Sequence, residues 1–235
     1  MSRQSRSNRK VNKEYILDTG GSGGIGFEIC KRLSKLNYKV IMCYSKKNRS
    51  KRELKKYKMI IPLKINLDKS RSVDKAFLKL NSIIKKKDKF NKLILCAAAL
   101  PTIQPILKSK SKKLLDHFIT SVVGHHNLIS KIINYYFKIN REGKILTILS
   151  KGIINEKKPS KYMGPYLLSK YALKKLTQII KVENKWIKIN FFYPSFTNTK
   201  MLKSLDKDYI KVVKSNEKIS SPQTISKIII NKLFV

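Results

Sequence analysis

The sequence predicts an α/β fold with a doubly wound parallel sheet, and two observations support this prediction. Short apolar runs alternate with longer amphipathic stretches along the 235 residues, which is the pattern of successive βαβ units. A glycine-rich stretch separates the first apolar run from the first amphipathic one, as in nucleotide-binding βα turns. We therefore expect a three-layer α/β/α arrangement, with helices on both faces of the sheet.

Each element follows from its local pattern. Six apolar runs are predicted as strands: Tyr15–Leu17, Val40–Cys43, Met59–Leu63, Leu93–Ala98, Ile145–Leu149 and Ile187–Phe192. Five amphipathic stretches are predicted as helices: Gly24–Leu36, Ser50–Tyr57, Ser72–Lys86, Lys112–Phe137 and Tyr166–Glu183. In these stretches apolar residues recur at helical spacing and form one face that can pack on a sheet.

The chain is predicted to form one domain that follows a short arm. Residues 1–13 are rich in Arg, Ser, Asn and Lys and contain no acid, which predicts a disordered basic arm. Residues 14–235 have no internal repeat or long linker and are predicted as a single catalytic domain. No apolar run approaches the length that crosses a bilayer, so no membrane association is expected.

The cysteines and histidines predict neither a disulfide framework nor a metal site. The three cysteines are far apart and form no CxxC pair: Cys30, Cys43 and Cys96. This usage fits a reducing compartment, and we expect a cytoplasmic location. The three histidines lie in one predicted helix, without a carboxylate or cysteine at ligand spacing: His117, His125 and His126. We interpret them as helix residues.

The formal net charge is +39, and it permits two interpretations. One is a polyanionic partner, such as nucleic acid, an anionic membrane or an acidic carrier protein. The other is compositional drift, because lysine occurs on most predicted solvent faces and does not form one patch with interleaved aromatic residues. We favour drift, with weak and salt-dependent polyanion binding as its consequence.

The stretch from Thr19 to Gly26 has the composition that binds a pyrophosphate. Backbone N–H groups at a helix N-terminus attract phosphate, and glycines remove the Cβ atoms that would block its approach. The residues predicted to line this cofactor loop are Gly20, Ser22, Gly24, Ile25 and Gly26.

The spacing of Gly20, Gly24 and Gly26 resembles the TGxxxGIG motif of short-chain dehydrogenases/reductases. The resemblance implies a Rossmann-like fold and an NAD(P) cofactor, and it extends over nearly the whole chain. At the end of the second strand, Tyr44-Ser45-Lys46 contains no acid that would repel a 2′-phosphate, so NADPH is favoured over NADH. After the third strand, Asn66-Leu67 matches the position that contacts the adenine in this family.

The catalytic residues are predicted from the same resemblance and from helical spacing. Tyr166 and Lys170 lie one turn apart on one helix face, and a nearby ammonium is expected to lower the pKa of the tyrosine. Tyr171 and Lys175 have the same spacing, but only Tyr166-Leu-Leu-Ser-Lys170 matches the family's YxxSK form. The strand that ends in Ser150 resembles the strand with the family's catalytic serine, which hydrogen-bonds the substrate carbonyl.

Three further segments complete the resemblance, with departures from the family pattern. Pro194 and Thr199 lie in a segment that resembles the family's nicotinamide-contacting stretch. Ala97 and Ala98 stand in place of the family's NNAG run, so small size is kept and both Asn side chains are lost. Ser121 stands in place of a fourth catalytic residue, an Asn.

Two more departures concern the first and last strands. Asp18 occupies an apolar position at the end of the first strand and needs a partner. The family's last strand is absent from the sequence, which leaves the sixth strand as a possible exposed edge.

The resemblance implies a reductase that converts a carbonyl to an alcohol. Within the family, Tyr44-Ser45 after the second strand looks most like the 3-oxoacyl-acyl-carrier-protein reductase branch, which implies a 3-oxoacyl thioester or similar ketone, free or on a carrier protein, as the expected substrate. Ser150 would polarise the carbonyl, Tyr166 would give the proton, and Lys170 would hold the ribose. Residues 200–221 are expected to form a mobile loop that closes over substrate. A homodimer through the helices of Lys112 and Tyr166 is also expected. The alternative is a catalytically decayed relative that holds NAD(P) or binds polyanions such as RNA.

Overall fold

The computed structural model describes residues 14–46, 49–85, 88–157 and 160–234. The predicted basic arm, residues 1–13, lies outside the described residues. Within them, six strands form one sheet in the order β3-β2-β1-β4-β5-β6, and every pair is parallel. The strands are β1 Glu14–Asp18, β2 Lys39–Tyr44, β3 Ile60–Lys64, β4 Lys89–Leu95, β5 Gly143–Ile148 and β6 Ile187–Phe192. This arrangement confirms the predicted doubly wound α/β fold.

Helices connect the strands and cover both faces of the sheet. Those between β1 and β4 are α1 Gly24–Lys35, α2 Lys51–Lys55 and α3 Ser70–Ile83. Those between β4 and β5 are α4 Ser111–Phe118, α5 Gly124–Ile132 and α6 Lys138–Asn140. The later ones are α7 Gly164–Glu183, α8 Lys200–Lys203, α9 Lys207–Asn216 and α10 Pro222–Phe234. No helix in the described part of the chain is both long enough and apolar enough to be a membrane span.

The core has two halves, one on each side of the sheet, because side chains alternate along each strand. Tyr15 and Leu17 of β1 join the half that packs against α3, α5 and α7. Ile16, between them, joins the half that packs against α1 and α10. The side chains of Ile16 and Leu17 are fully buried, so the central strand contributes to both halves.

The long helix predicted over Lys112–Phe137 is present but is not uniformly α-helical. Two π-helical segments, Ile119–Val123 and Ile133–Phe137, interrupt it and join α4, α5 and α6 end to end. Such π segments insert an extra residue into a turn and often occur at functional sites. The first of them contains Ser121.

Two sequence predictions were wrong in their bounds or type. The fourth strand ends at Leu95 and does not reach Ala98, because the Thr19 hydroxyl takes the N–H groups of Cys96 and Ala97. Residues 200–221 are not a plain mobile loop, because α8 and α9 occupy most of that segment. Asp206 caps α9 by accepting two backbone N–H bonds, from Asp208 and Tyr209.

The strand order positions the site. It reverses between β1 and β4, and ligands of such sheets bind at the carboxyl ends of the strands that flank the reversal. Among the described residues the sheet ends at β6, as expected from the absence of a seventh strand in the sequence. The carboxyl ends of β1, β4 and β5 therefore bring together the loops that follow Asp18, Leu95 and Ile148.

Candidate functional site

The glycine-rich loop leads from β1 directly into α1. Gly23 N–H bonds the carbonyl of Gly20, and Ser22 N–H bonds the carbonyl of Cys43 at 3.2 Å. None of the described glycines has a positive φ, so these glycines are needed for space. A Cβ on Gly26 would lie 2.2 Å from the carbonyl oxygen of Gly20, and one on Gly24 would lie 2.5 Å from Thr199 Cγ2.

The N-terminus of α1 fits an anionic ligand. Its cap residue, Gly23, supplies no side-chain hydrogen bond, and the first turn contains no acidic residue. The first N–H groups of a helix have no intrahelical partner, and the helix dipole favours negative charge there. Gly24, Ile25 and Gly26 form this first turn, so the residues fit the pyrophosphate of a dinucleotide cofactor.

The predicted adenosine end of the site lies at the ends of β2 and β3. Tyr44 closes β2, and Ser45 and Lys46 follow it with exposed side chains. Asn66 follows β3, and its side-chain oxygen accepts a hydrogen bond from Asp68 N–H at 3.1 Å. That oxygen has a second lone pair, which could accept a hydrogen bond from an adenine amine. The predicted contact of Asn66 with adenine therefore remains a proposal. Leu67 is buried and packs beneath α5, where a Cβ on Gly124 would lie 2.3 Å from its carbonyl oxygen.

The structure brings Ser150, Tyr166 and Lys170 together. The Ser150 side chain lies close enough to Tyr166 to lower the pKa of its phenol, and the Ser150 hydroxyl accepts from Gly152 N–H at 3.2 Å. Lys170 is almost fully buried. Its ammonium donates to the carbonyl of Ile148 at 2.8 Å and lies 5.7 Å from the centre of the Tyr166 ring.

The electrostatics of this trio differ from the sequence expectation. Burial raises the pKa of Tyr166 to about 12, and the nearby Ser150 side chain lowers it only in part. Burial also lowers the pKa of Lys170 to about 8. The expected lowering of the tyrosine pKa is therefore wrong for this structure, because desolvation is the largest influence on it.

Ser121 lies in the first π segment and contacts the helix that carries Tyr166 and Lys170, the predicted catalytic pair. Its side chain is fully buried, and its hydroxyl is 3.3 Å from that of Ser169. Ser169 in turn donates to the carbonyl of Tyr166 at 2.7 Å. Ser121, which stands where the family has an Asn, thus contacts α7 through the hydroxyl of Ser169.

The predicted nicotinamide end is formed by the turn after β4 and the segment after β6. Ala97 and Ala98 are half-buried, and the turn is fixed by the Thr19 hydroxyl at 3.2 Å from Ala97 N. The carbonyl of Pro194 accepts from Lys151 N–H at 2.9 Å, which ties the segment to the Ser150 strand end. Thr199 caps α8 through its hydroxyl, and its methyl group lies against Gly24.

The carboxylate of Asp18 makes two contacts beneath the glycine-rich loop. It accepts from Gly20 N–H at 2.9 Å and lies 3.9 Å from Cys30 Sγ. The side chain is fully buried, and burial raises its pKa to about 7. The carboxyl group of Asp18 therefore gains or loses its proton near neutral pH, beneath the glycine-rich loop.

Sequence reasoning missed Arg49. Its Nε donates to the carbonyl of Ser22 at 3.0 Å and one terminal nitrogen donates to that of Gly23 at 3.1 Å. The guanidinium stacks 4.2 Å from the centre of the Phe27 ring, and Glu53 lies 3.6 Å from it. Nothing in the local sequence distinguishes Arg49 from the many other basic residues, because only the fold brings it over the loop.

Comparisons with known proteins agree with this geometry. Residues 14–210 match the family model described as short chain dehydrogenase. A sequence search of curated proteins finds no match. Among solved structures, a 3-ketoacyl-(acyl-carrier-protein) reductase from Brucella melitensis complexed with NADH is similar with a TM-score of 0.79 at 18% identity, over 95% of this chain and 92% of that one.

Two further solved structures are also similar to this chain. ElxO with NADP bound has a TM-score of 0.75 at 21% identity, over 94% of this chain and 91% of that one. A ribose-5-phosphate isomerase from Brucella melitensis 16M also has a TM-score of 0.75, at 18% identity, over 94% of this chain and 84% of that one. At such identities the likeness establishes the Rossmann-like fold alone. Because the family model covers most of the chain, this protein belongs to the short-chain dehydrogenase family and is a short-chain dehydrogenase/reductase enzyme.

Proposed function

We propose that this enzyme uses NADPH to reduce a ketone to an alcohol, with a 3-oxoacyl thioester, free or bound to a carrier protein, as substrate. The observation that carries the proposal is the buried ammonium of Lys170, which lies 5.7 Å from the centre of the Tyr166 ring, with the Ser150 side chain close enough to affect the pKa of that tyrosine. All three side chains lie at the same sheet edge as the uncapped helix N-terminus of the glycine loop. The NADH-bound acyl-carrier-protein reductase supports the substrate class by similarity only.

The protonation state of Tyr166 suits the reducing direction. With its pKa raised to about 12, the phenol holds its proton at neutral pH and can donate it to a developing alkoxide. Ser150 lies beside this phenol, so both hydroxyls can converge on one carbonyl oxygen. A bound reduced nicotinamide supplies the hydride.

Lys170 places a positive charge behind the tyrosine. Its ammonium is held by the Ile148 carbonyl at the end of β5 and is shielded from solvent. A cation there stabilises the negative charge that the phenol acquires as it gives up its proton. Because burial lowers the pKa of Lys170 to about 8, this stabilisation weakens as the pH rises above that value.

The preference for NADPH is proposed from the basic groups around the loop. Ser45 and Lys46 are exposed at the end of β2, and Arg49 lies over Ser22 and Gly23. A guanidinium recognises a phosphate well. Glycine-loop residues Gly20, Ser22 and Gly24 would hold the pyrophosphate.

We further propose a cytoplasmic homodimer. The described cysteines Cys30, Cys43 and Cys96 are free, in keeping with a reducing compartment. Helices α4 and α7, which carry Lys112 and Tyr166, leave apolar side chains exposed that a partner copy could cover.

The test is Tyr166→Phe, assayed by NADPH oxidation with a short 3-oxoacyl thioester after nucleic acid has been removed in high salt. We expect kcat to fall by about 10²–10⁴-fold, because the proton donor is lost, with little change in NADPH affinity. The matched control is Tyr171→Phe, which changes the other tyrosine with a lysine four residues on. Its buried hydroxyl has no hydrogen-bond partner among the described residues, so activity should be unchanged. Equal activity of wild type and Tyr166→Phe would refute the catalytic assignment.

A further inference from the structure

His125 in α5 is fully buried, and each of its ring nitrogens lies at hydrogen-bond distance from a different part of the site. Nδ1 is 2.9 Å from the carbonyl oxygen of Ser121. Nε2 is 3.0 Å from the hydroxyl oxygen of Thr19, the residue that opens the glycine-rich loop. One side chain therefore contacts both the cofactor loop and the segment behind the catalytic helix.

The two contacts determine which nitrogen carries the proton. The Ser121 carbonyl can only accept, so Nδ1 must donate to it. Burial lowers the pKa of His125 to about 4, which keeps the ring neutral and leaves Nε2 as an acceptor. The Thr19 hydroxyl therefore donates to Nε2 at 3.0 Å, which is nearer than its other acceptor, the carbonyl of Ile94 at 3.3 Å. Its oxygen accepts the N–H groups of Cys96 at 3.0 Å and Ala97 at 3.2 Å.

The contacts continue on the other side to the catalytic helix. The Ser121 hydroxyl is 3.3 Å from that of Ser169, and Ser169 donates to the carbonyl of Tyr166 at 2.7 Å. Lys170 follows Ser169 directly in α7. A continuous row of polar contacts thus runs from the turn after β4, through Thr19 and His125, to the helix that carries the proposed acid.

The turn after β4 depends on this row for its position. Residues 96–99 are Cys-Ala-Ala-Ala, and their side chains offer no amide or carboxylate that could hold the backbone. Thr19 supplies the acceptor for two of their N–H groups, and His125 fixes the direction in which the Thr19 hydroxyl points. Buried hydrogen-bond networks in which every member is paired are rigid and specify one arrangement.

We propose that His125 is a positioning residue that couples the cofactor loop and the turn after β4 to the placement of Ser121 and α7. The inference rests on the proposed function for its link to catalysis, whereas the bridge itself is a property of the fold. It predicts that the two halves of the bridge can be separated by substitution. The half toward Thr19 sets cofactor affinity, and the half toward Ser121 sets turnover.

The two amide substitutions each keep one half. In His125→Asn, the shorter amide nitrogen can still donate to the Ser121 carbonyl, but nothing reaches Thr19. In His125→Gln, the longer side chain can present its oxygen to the Thr19 hydroxyl, but the donor to Ser121 is lost. The matched control is His126→Asn, at the exposed neighbouring position in the same helix.

The measurements are the NADPH dissociation constant by calorimetry, kcat, and amide hydrogen exchange of Cys96 and Ala97 by NMR without cofactor. For His125→Asn we expect about a fivefold weaker NADPH affinity and faster exchange at both amides, with kcat within twofold, on the net value of one hydrogen bond. For His125→Gln we expect about a fivefold lower kcat with near wild-type affinity. His126→Asn should match the wild type in all three.

A second readout does not depend on substitution. The ¹⁵N resonances of the His125 ring in the wild type should show the proton on Nδ1 and none on Nε2. A proton on Nε2 would overturn the proposal, as would two variants that lose thermal stability equally while affinity, kcat and amide exchange stay unchanged. If the wild type does not bind NADPH, the proposed function fails, while the ring tautomer and the amide exchange still decide whether the bridge exists.

Discussion

Individual residues at this site are governed more by burial than by their neighbours' charges. Tyr166 and Lys170 are both shifted toward their neutral forms, with pKa values of about 12 and about 8. Each shift has desolvation as its largest cause. A tyrosine that keeps its proton beside a lysine that is still mostly protonated at pH 7 supports the proposed proton donation in the reducing direction.

Asp18 predicts a measurable pH dependence of stability. Its folded pKa is raised from 3.8 to about 7, so between these values the folded state binds more protons than the unfolded state. Stability contributed by this group is therefore complete at low pH and is lost as the pH rises toward 7. Asp18→Asn keeps an acceptor for Gly20 N–H and removes the titration.

We expect Asp18→Asn to match the wild type near pH 4 and to be more stable by about 2–4 kcal/mol at pH 8. Urea unfolding at both pH values measures this difference. Asp208→Asn, at an exposed position, serves as the control and should change stability by less than about 0.5 kcal/mol at either pH. A constant difference between Asp18→Asn and wild type at the two pH values would contradict the raised pKa.

Arg49 predicts the cofactor preference. Its guanidinium lies over the Ser22 and Gly23 carbonyls, beside the proposed place of a 2′-phosphate. Arg49→Gln should weaken NADPH binding by about tenfold, the value of one charge-assisted contact, and leave NADH binding within twofold. Titration of both cofactors measures this, with the exposed Arg52→Gln of α2 as the control. Equal losses of affinity for NADPH and NADH would show that Arg49 stabilises the loop and does not recognise the phosphate.

At the scale of elements, the glycine loop and α1 act as one unit because their backbones approach so closely. The sequence predicted this unit from composition and placement, and it also predicted most helices and strands to within a few residues. The end of β4 was predicted wrongly because the apolar run continues past Leu95 to Leu100. The strand ends where Thr19, a residue distant in sequence, takes the N–H groups of Cys96 and Ala97.

We expect alanine substitutions at two loop glycines, three residues apart, to differ in their effect on stability and cofactor affinity. In Gly26→Ala the new Cβ would lie 2.2 Å from the Gly20 carbonyl oxygen, whereas in Gly23→Ala the corresponding distance is 3.1 Å. We expect Gly26→Ala to lose more than about 2 kcal/mol of stability and at least about tenfold in NADPH affinity. Gly23→Ala should cost less than about 1 kcal/mol. Thermal unfolding and calorimetry measure both, and similar behaviour of the two variants would refute the close-approach argument.

At the scale of the whole molecule, α7 presents an apolar stripe to solvent. Leu168, Ile179 and Val182 are 44%, 47% and 74% exposed, and Leu115 of the adjacent α4 is also exposed. Apolar patches of this kind mark protein–protein contacts. They support the proposed dimer through these two helices.

The dimer is tested by Leu168→Glu combined with Val182→Glu. We expect the wild type to have about twice the 27.2 kDa chain mass in light scattering and the double variant to have the mass of one chain, because two charges would be buried unpaired in the interface. Leu78→Glu, which changes a 67% exposed position on α3, should remain dimeric. A wild type that is already monomeric would exclude the interface.

The net charge of +39 also acts at this scale. The ion pairs of the described residues are mostly on the surface, as in Lys211–Asp208 and Lys151–Glu217, and basic groups greatly outnumber acidic ones. A surface of this kind attracts polyanions with steep salt dependence. If the proposed substrate is bound to an acidic carrier protein, this attraction would raise the encounter rate rather than the specificity.

The sequence by itself determined the alternation of strands and helices, the position of the glycine loop, and the choice of Ser150, Tyr166 and Lys170 as catalytic candidates. These are local patterns, because periodicity and motif spacing involve residues that are close together in the sequence. The tertiary structure alone decided the direction of the Tyr166 pKa shift, the place of Arg49 and the bridge from Thr19 through His125 to Ser121. Desolvation and long-range hydrogen bonds depend on everything packed around a group, and the contact of Thr19 with His125 joins residues 106 positions apart.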